Sequence, residues 1–152
     1  MPHIHEHIDF TVEVFVVFNG KVLLRKHDKY GIWLSVGGHI ELNEDPNQAA
    51  LREVKEEVGL TVELYDTRGY FGDAKIKELI APISINRHSI SDTHEHVSLI
   101  YFATTNTDKI IPEKPTDEWR WCTKEDIDGM EDLQSNVAFY GKKAIDLVEN
   151  KK

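Results

Sequence analysis

The chain has 152 residues, 40% apolar and 30% charged, which is the make-up of one globular domain large enough to bury its own core, not of a disordered segment. Its net charge of −9 argues against a nucleic acid or an anionic membrane as the main partner, both being polyanions, but admits a small phosphorylated ligand if a metal ion bridges the two. Cys122 is the sole cysteine, residues 14–18 form an apolar run far shorter than the ~20 residues of a spanning helix, and the start MPHIHEHIDF has neither a basic end nor an apolar signal core. A soluble, cytoplasmic protein is expected. His3, His5 and His7 alternate along the first segment, a pattern that fits a polar terminal strand or tail and also a metal pinch. Residues 10–18, rich in Val and Phe, read as a buried strand. Asn19-Gly20 is a tight-hairpin pair, and residues 21–25 return as the next strand. Asp45 as N-cap, Pro46 at the first helical position, Gln48 three residues past the cap and Gly59 as a left-handed stop predict a helix over 46–58. Further strands are expected over 61–70, 76–86 and 97–103, then a polar loop over 104–117 with Pro112 and Pro115, and a short aromatic strand over 119–122. Thr123 caps a short helix over 124–127, and Ser135 or Asn136 caps a longer one reaching about 149, with Val137, Tyr140, Ala144, Leu147 and Val148 as its stripe. Strands mixed with two substantial helices predict a layered α/β or α+β domain spanning residues 1–152.

The central helix carries the chemistry. At ~100° per residue, Ala50, Leu51, Val54 and Val58 define a core stripe, and Glu53, Glu56 and Glu57 fall in a neighbouring arc. Three like charges spaced i, i+3, i+4 repel, more strongly at a half-buried seam where the dielectric is lower. Arg52 and Lys55 offset part of that repulsion. A hard divalent cation would reverse its sign, and oxygen ligands select Mg²⁺, Mn²⁺ or Ca²⁺. Three glutamates alone read more readily as a solvated helix face, since acidic helix faces are common. Upstream, however, stand Trp33-Leu34-Ser35-Val36 and then Gly37-Gly38, a pair that lets backbone approach a ligand or ion, and Glu44 precedes the helix.

The run GHIELNEDPNQAALREVKEEVGL, residues 38–60, resembles the Nudix box: Gly, five residues, Glu, seven residues, then Arg-Glu-apolar-any-Glu-Glu-any-Gly-apolar. Gly38, Glu44, Arg52, Glu53, Val54, Glu56, Glu57, Gly59 and Leu60 fill its specified positions. Seven of these demand one residue type, at roughly 6% usage each, so over some 130 starts a chance match is on the order of 10⁻⁷. The chain departs from the common family pattern at Ser35-Val36, where most members carry a proline.

The resemblance implies an α/β/α sandwich around a mixed β-sheet and a MutT-like pyrophosphohydrolase that cleaves a nucleoside diphosphate derivative with Mg²⁺ (or Mn²⁺). Carried over, Glu53, Glu56 and Glu57 with the carbonyl of Gly38 or its neighbour are metal ligands, and Arg52 and Glu44 hold them by charge-assisted hydrogen bonds. The family uses no fixed general base, so Glu53, Glu56 and a loop glutamate are candidates. Glu95, at the start of a strand and flanked by His94 and His96, is the loop candidate. For the substrate, Trp33, Tyr70, Phe71, Phe139 and Tyr140 are stacking candidates, Asn136 an amide reader of the base, and Arg87 and His88 phosphate contacts; each also has a plain structural reading as core, cap or surface. The expected partner is a small nucleotide-derived substrate, with no nucleic acid and no membrane, the chain acting as monomer or homodimer. A non-catalytic Nudix module that binds a nucleotide or regulatory partner is the alternative, and the complete carboxylate set argues against it.

Overall fold

The computed structural model describes residues 7–27, 31–69 and 74–149. Strand β1 (Ile8–Phe18) is the backbone of the sheet. Its side chains alternate between two buried surfaces: Val12, Val14 and Val16 join one core, and Phe15 and Val17 the other. Asn19 and Gly20 adopt positive φ of 47° and 74°, as the expected tight hairpin needs, and turn the chain into β2 (Lys21–Lys26). β3 (Trp33–Leu34) and β4 (Val36–His39) follow, then helix α1 (Pro46–Val58), β5 (Val62–Leu64), β6 (Ser84–Ser91), β7 (His94–Thr105), β8 (Glu118–Cys122), α2 (Lys124–Asp128) and α3 (Ser135–Glu149).

The eight strands form one mixed sheet. β1 and β7 run parallel, pairing Ile8 with Glu95 through Val17 with Thr104, and the other pairings are antiparallel. α1 covers one face with Val12, Val14, Val36, Tyr101 and Ala103 beneath it. α2 and α3 cover the other, where Phe15, Phe102 and Cys122 meet Ile127, Val137 and Ile145. This is the expected α/β/α sandwich.

Two expected strands are shorter or shifted. β5 spans three residues and β6 begins at Ser84, where strands over 61–70 and 76–86 were expected. Both use the same edge of β7: β5 takes Ala103 to Thr105, and β6 takes the stretch up to Ile100. A strand continuing past residue 65 would meet an edge already occupied. Of the described apolar residues between them, Tyr65, Ile80 and Ile83 pack against the cores as loop, and Ile76 is exposed. Ile80 joins the α1-side core, and the Asn47 amide mimics a strand partner, donating to the Ile80 carbonyl at 2.9 Å and accepting from its N–H at 2.8 Å. β7 starts earlier than expected, at His94, because β1 and β6 flank it on both sides.

α1 has the expected bounds. Asp45 accepts from the Gln48 N–H, the Gln48 side chain accepts from the Asp45 N–H, and Gly59 closes the helix at φ 70°. Its buried arc differs from the expected one. Leu51 is 43% exposed, whereas Ala49 is fully buried. At 100° per residue the arc therefore runs from Ala49 to Val58, and Glu53 and Glu57 point into it rather than beside it. Asn136 also moves: α3 begins at Ser135, so Asn136 sits in its first turn and does not cap it. No helix among the described residues is long and apolar enough to cross a membrane.

Candidate active site

Arg52 is the hub. Its guanidinium donates to Glu44 twice, from Nε at 3.0 Å and from one terminal nitrogen at 2.8 Å, and that same nitrogen reaches the His39 carbonyl at 3.0 Å. The other terminal nitrogen meets Glu53 at 2.9 Å and Glu56 at 3.2 Å. One planar fork thus fixes three carboxylates and the end of β4. Arg52 holds the Glu44 carboxyl below its ordinary range and in turn keeps its own proton more firmly. Burial pushes Glu53 up despite Arg52, and pushes Glu57 up to about 7 despite the Gly37 N–H and Arg25.

The paired glycines admit these side chains. A Cβ on Gly38 would lie 2.4 Å from a Glu53 carboxylate oxygen, so glycine is what lets Glu53 rest against β4. The Gly37 N–H donates to Glu57 at 2.9 Å, and Arg25 approaches the other Glu57 oxygen at 3.4 Å. Arg25 also leans on Asp117 at 3.5 Å and lies over the Trp119 ring at 5.9 Å. Glu44, Glu53 and Glu56 share the Arg52 guanidinium while Glu57 leans on Arg25, and burial pushes Glu53 and Glu57 toward protonation, so the set is oxygen-rich and short of positive charge. That donor set fits a hard divalent cation, and Glu53, Glu56 and Glu57 beside Gly38 are the groups that could hold one.

From Gly37, Gly38 and Glu57 a cleft of about 510 Å³ opens along the sheet, within the range for a small-molecule site. Its walls include Glu13, Arg25, His27, His39, His88 and His96. Burial raises the Glu13 carboxyl, which hydrogen-bonds Ser98.

The other sequence candidates are scattered. His88 lines the cleft. Arg87 and Glu95 pair across β6 and β7 through two hydrogen bonds of 2.9 and 2.7 Å, which keeps the Glu95 carboxyl below its ordinary range. Strand alternation turns Glu95 to the face opposite His94 and His96. Trp33 packs into the α3-side core. Asn136 and Phe139 are exposed on α3, and the Tyr140 hydroxyl pairs with that of Ser84 at 3.0 Å. Tyr70, Phe71, His3 and His5 lie outside the described residues. Sequence reasoning missed Glu13, Arg25, His27 and His39 as cleft walls. A glutamate inside the apolar run of β1 was the one visible sign, since a charge there needs a polar cavity to face.

A family model described as NUDIX domain matches residues 9–142. The fold is similar to a crystal structure of a NUDIX-family hydrolase from Clostridium perfringens, with TM-score 0.84 and 37% identity over 95% of this chain and 99% of that one. It also resembles the MutT protein from Methanosarcina mazei Go1, with TM-score 0.68 and 20% identity over 98% and 99% of the two chains, a likeness of fold. Over 98 residues it is 29% identical to the CTP pyrophosphohydrolase of Escherichia coli (strain K12), covering 60% of this chain and 73% of that protein. Over 62 residues, 37% of this chain, it is 40% identical to the m7GpppN-mRNA hydrolase NUDT17 of Xenopus laevis, and the match spans 21% of that longer protein. A family model matched across most of the chain, on a fold that sets the glutamates of α1 against paired glycines, makes this chain a member of the NUDIX family and a NUDIX hydrolase.

Proposed function

We propose that the chain hydrolyses the diphosphate linkage of a small nucleoside diphosphate derivative, with Mg²⁺ or Mn²⁺ held by Glu53, Glu56, Glu57 and the Gly38 carbonyl. Pyrophosphate hydrolysis of small nucleotide-derived substrates, typically with divalent metals, is the activity of the family. The observation that carries the finer reading is the Arg52 fork, which gathers Glu44, Glu53 and Glu56 next to Gly38. A bound divalent ion would neutralise the diphosphate and activate water for in-line attack. Glu53 or Glu56 would accept the proton of that water. Burial raises the Glu53 carboxyl, which suits it to take up a proton, whereas both oxygens of Glu95 are engaged by Arg87. The nucleoside would lie in the cleft, with Arg25 and His88 toward its phosphates and Glu13 on the floor. Trp33 packs in the core and Asn136 faces outward on α3, so this reading gives neither a contact with the base.

The test is a panel of nucleotide sugars, ADP-ribose, dinucleotide polyphosphates, oxidised nucleoside triphosphates and CTP, each with Mg²⁺ and with Mn²⁺. CTP is included because a 29% identical relative is named for it. Metal-dependent turnover of at least one member, lost in EDTA and in Glu56→Gln, is expected, and it would remove the binding-only alternative. No hydrolysis with either ion would refute the reading.

A further inference from the structure

A second cluster of metal-ligating side chains lies apart from the glutamates of α1, where β1, β4 and β7 meet. Asp9 is 2% exposed, so its carboxylate is cut off from water and needs partners. Two imidazole nitrogens approach the same oxygen, His94 Nε2 hydrogen-bonded at 3.1 Å and His39 Nε2 at 3.3 Å. The His96 ring stands edge-on to both, with centroids 5.1 Å from His39 and 5.2 Å from His94. One ligand atom from each of Asp9, His94 and His96 lies within 4.8 Å of the others. The sheet register creates this meeting: Asp9 pairs with His96 across the parallel strands, His94 is two residues from His96 on the same face, and His39 pairs with Thr11 from the other side.

We propose that Asp9, His39, His94 and His96 form a second metal site, taking a borderline divalent transition ion such as Zn²⁺. The donor set decides the ion: three imidazoles and one carboxylate suit Zn²⁺ and its neighbours, whereas the all-oxygen set of α1 suits Mg²⁺. Bonds of 2.0–2.1 Å in a tetrahedron put ligand atoms roughly 3.3 Å apart; Asp9 lies 3.1 and 3.3 Å from the His94 and His39 nitrogens, and His96, within 4.8 Å of Asp9 and His94, would draw in on the ion. Ordinary N–H···O bonds are centred nearer 2.9–3.0 Å. His39 and His96 border the cleft, which gives an ion a path to the site. The ion would tie three strands together. It would also fix His39, whose carbonyl holds Arg52 at 3.0 Å, so it would brace the glutamate site without belonging to it.

The experiment uses untagged full-length protein stripped with chelator, in millimolar Mg²⁺ to fill the oxygen site. Co²⁺ is the optical probe, and Zn²⁺ is added after it. The parent should bind one equivalent of Co²⁺ with the intense visible absorption of a low-coordinate, nitrogen-rich site, lose it to Zn²⁺, and melt at a higher temperature with Zn²⁺. Glu56→Gln should keep all three properties, which separates this site from the hydrolytic one. His94→Asn and His96→Asn should lose the absorption and weaken Zn²⁺ binding by more than about 100-fold, beyond the range for an outer hydrogen-bond partner. The double substitution His3→Asn, His5→Asn should change nothing. The proposal fails if the parent gives a weak six-coordinate spectrum, if the absorption survives in both His94→Asn and His96→Asn, or if it disappears with His3 and His5. Should either cluster variant fail to fold, the stoichiometry and spectrum of the parent and of Glu56→Gln decide.

Discussion

Gly37 and Gly38 are adjacent, yet an added methyl group should have opposite consequences at the two. At Gly37 the new Cβ would sit 2.2 Å from the Val12 carbonyl oxygen and 3.2 Å from the Glu13 Cα, both backbone atoms of β1. Neither can swing aside, so β4 must shift against β1 by close to an ångström. Overpacking of that kind costs about 1–3 kcal/mol, and more when the backbone is rigid. At roughly 2–4 °C per kcal/mol for a domain of this size, Gly37→Ala should lower the melting temperature by about 2–12 °C. At Gly38 the new Cβ would meet the end of the Glu53 side chain at 2.4–2.7 Å. That side chain is flexible and can leave. Leaving breaks an Arg52 contact of 2.9 Å, a part-exposed ion pair worth roughly 1 kcal/mol or less, and relieves the burial that raises the Glu53 carboxyl. Gly38→Ala should therefore melt within about 3 °C of the parent without metal. Displacing a group at the reacting centre by about an ångström costs on the order of 10²-fold in rate, so turnover should fall by at least that much. Melting curves in EDTA and in millimolar Mg²⁺, with rates on a panel substrate, are the assay. Near-parent turnover in Gly38→Ala, or a destabilisation as large as that of Gly37→Ala, would refute the placement of Glu53 against β4.

Arg52→Ala should lower turnover by loosening Glu44, Glu53 and Glu56 together, and Mn²⁺ should restore part of it in a metal titration; a loss untouched by any metal concentration would mean Arg52 contacts substrate instead. Glu13 holds its proton more tightly folded than unfolded, so it makes stability fall as pH rises from 4.5 through its raised folded pKa; melting temperatures from pH 4 to 8 should show a shallower fall in Glu13→Gln and a higher value at neutral pH, and an unchanged slope would contradict the burial. Glu95→Gln should keep activity within a few-fold, because Arg87 already engages both Glu95 oxygens; a fall of about 10²-fold or more in initial rate would make Glu95 the base.

What could be read from the sequence was local. α1 was legible to the residue because Asp45, Pro46, Gln48 and Gly59 each act within one turn of the chain. The hairpin at Asn19-Gly20 was legible for the same reason. The extents of β5 and β6 were not, since they depend on which strand occupies which stretch of the β7 edge. The set Glu53, Glu56 and Glu57 was visible as a spacing, but their unequal exposure was not. Leu51 and Ala49 exchange the roles that hydrophobicity alone assigns them, because the sheet lies closest to the arc that the two alanines flank. The cleft was the least legible part. Its walls come from β1, β2, β3, β4, β6, β7 and α1, and His39, His88 and His96 meet there through the pairing of β4 with β1, of β6 with β7 and of β7 with β1.

The strength of those local helix signals bears on the site itself. Turning Glu53 and Glu57 into the buried arc works against folding, since ionised carboxylates lose water there and repel one another. Something else must hold the helix in place. Asp45 and Gln48 close a full capping box, Pro46 is preset for the first turn, and Gly59 takes the left-handed stop without strain. Ala49, Ala50, Val54 and Val58 are fully buried beside the glutamates, and the small alanines bring the helix close to the sheet. Caps and apolar contacts thus fix α1 independently of the charge state of its glutamates. A helix secured in this way can present carboxylates that are poorly compensated in the protein alone, so that a cation or a proton would bind at a position already built.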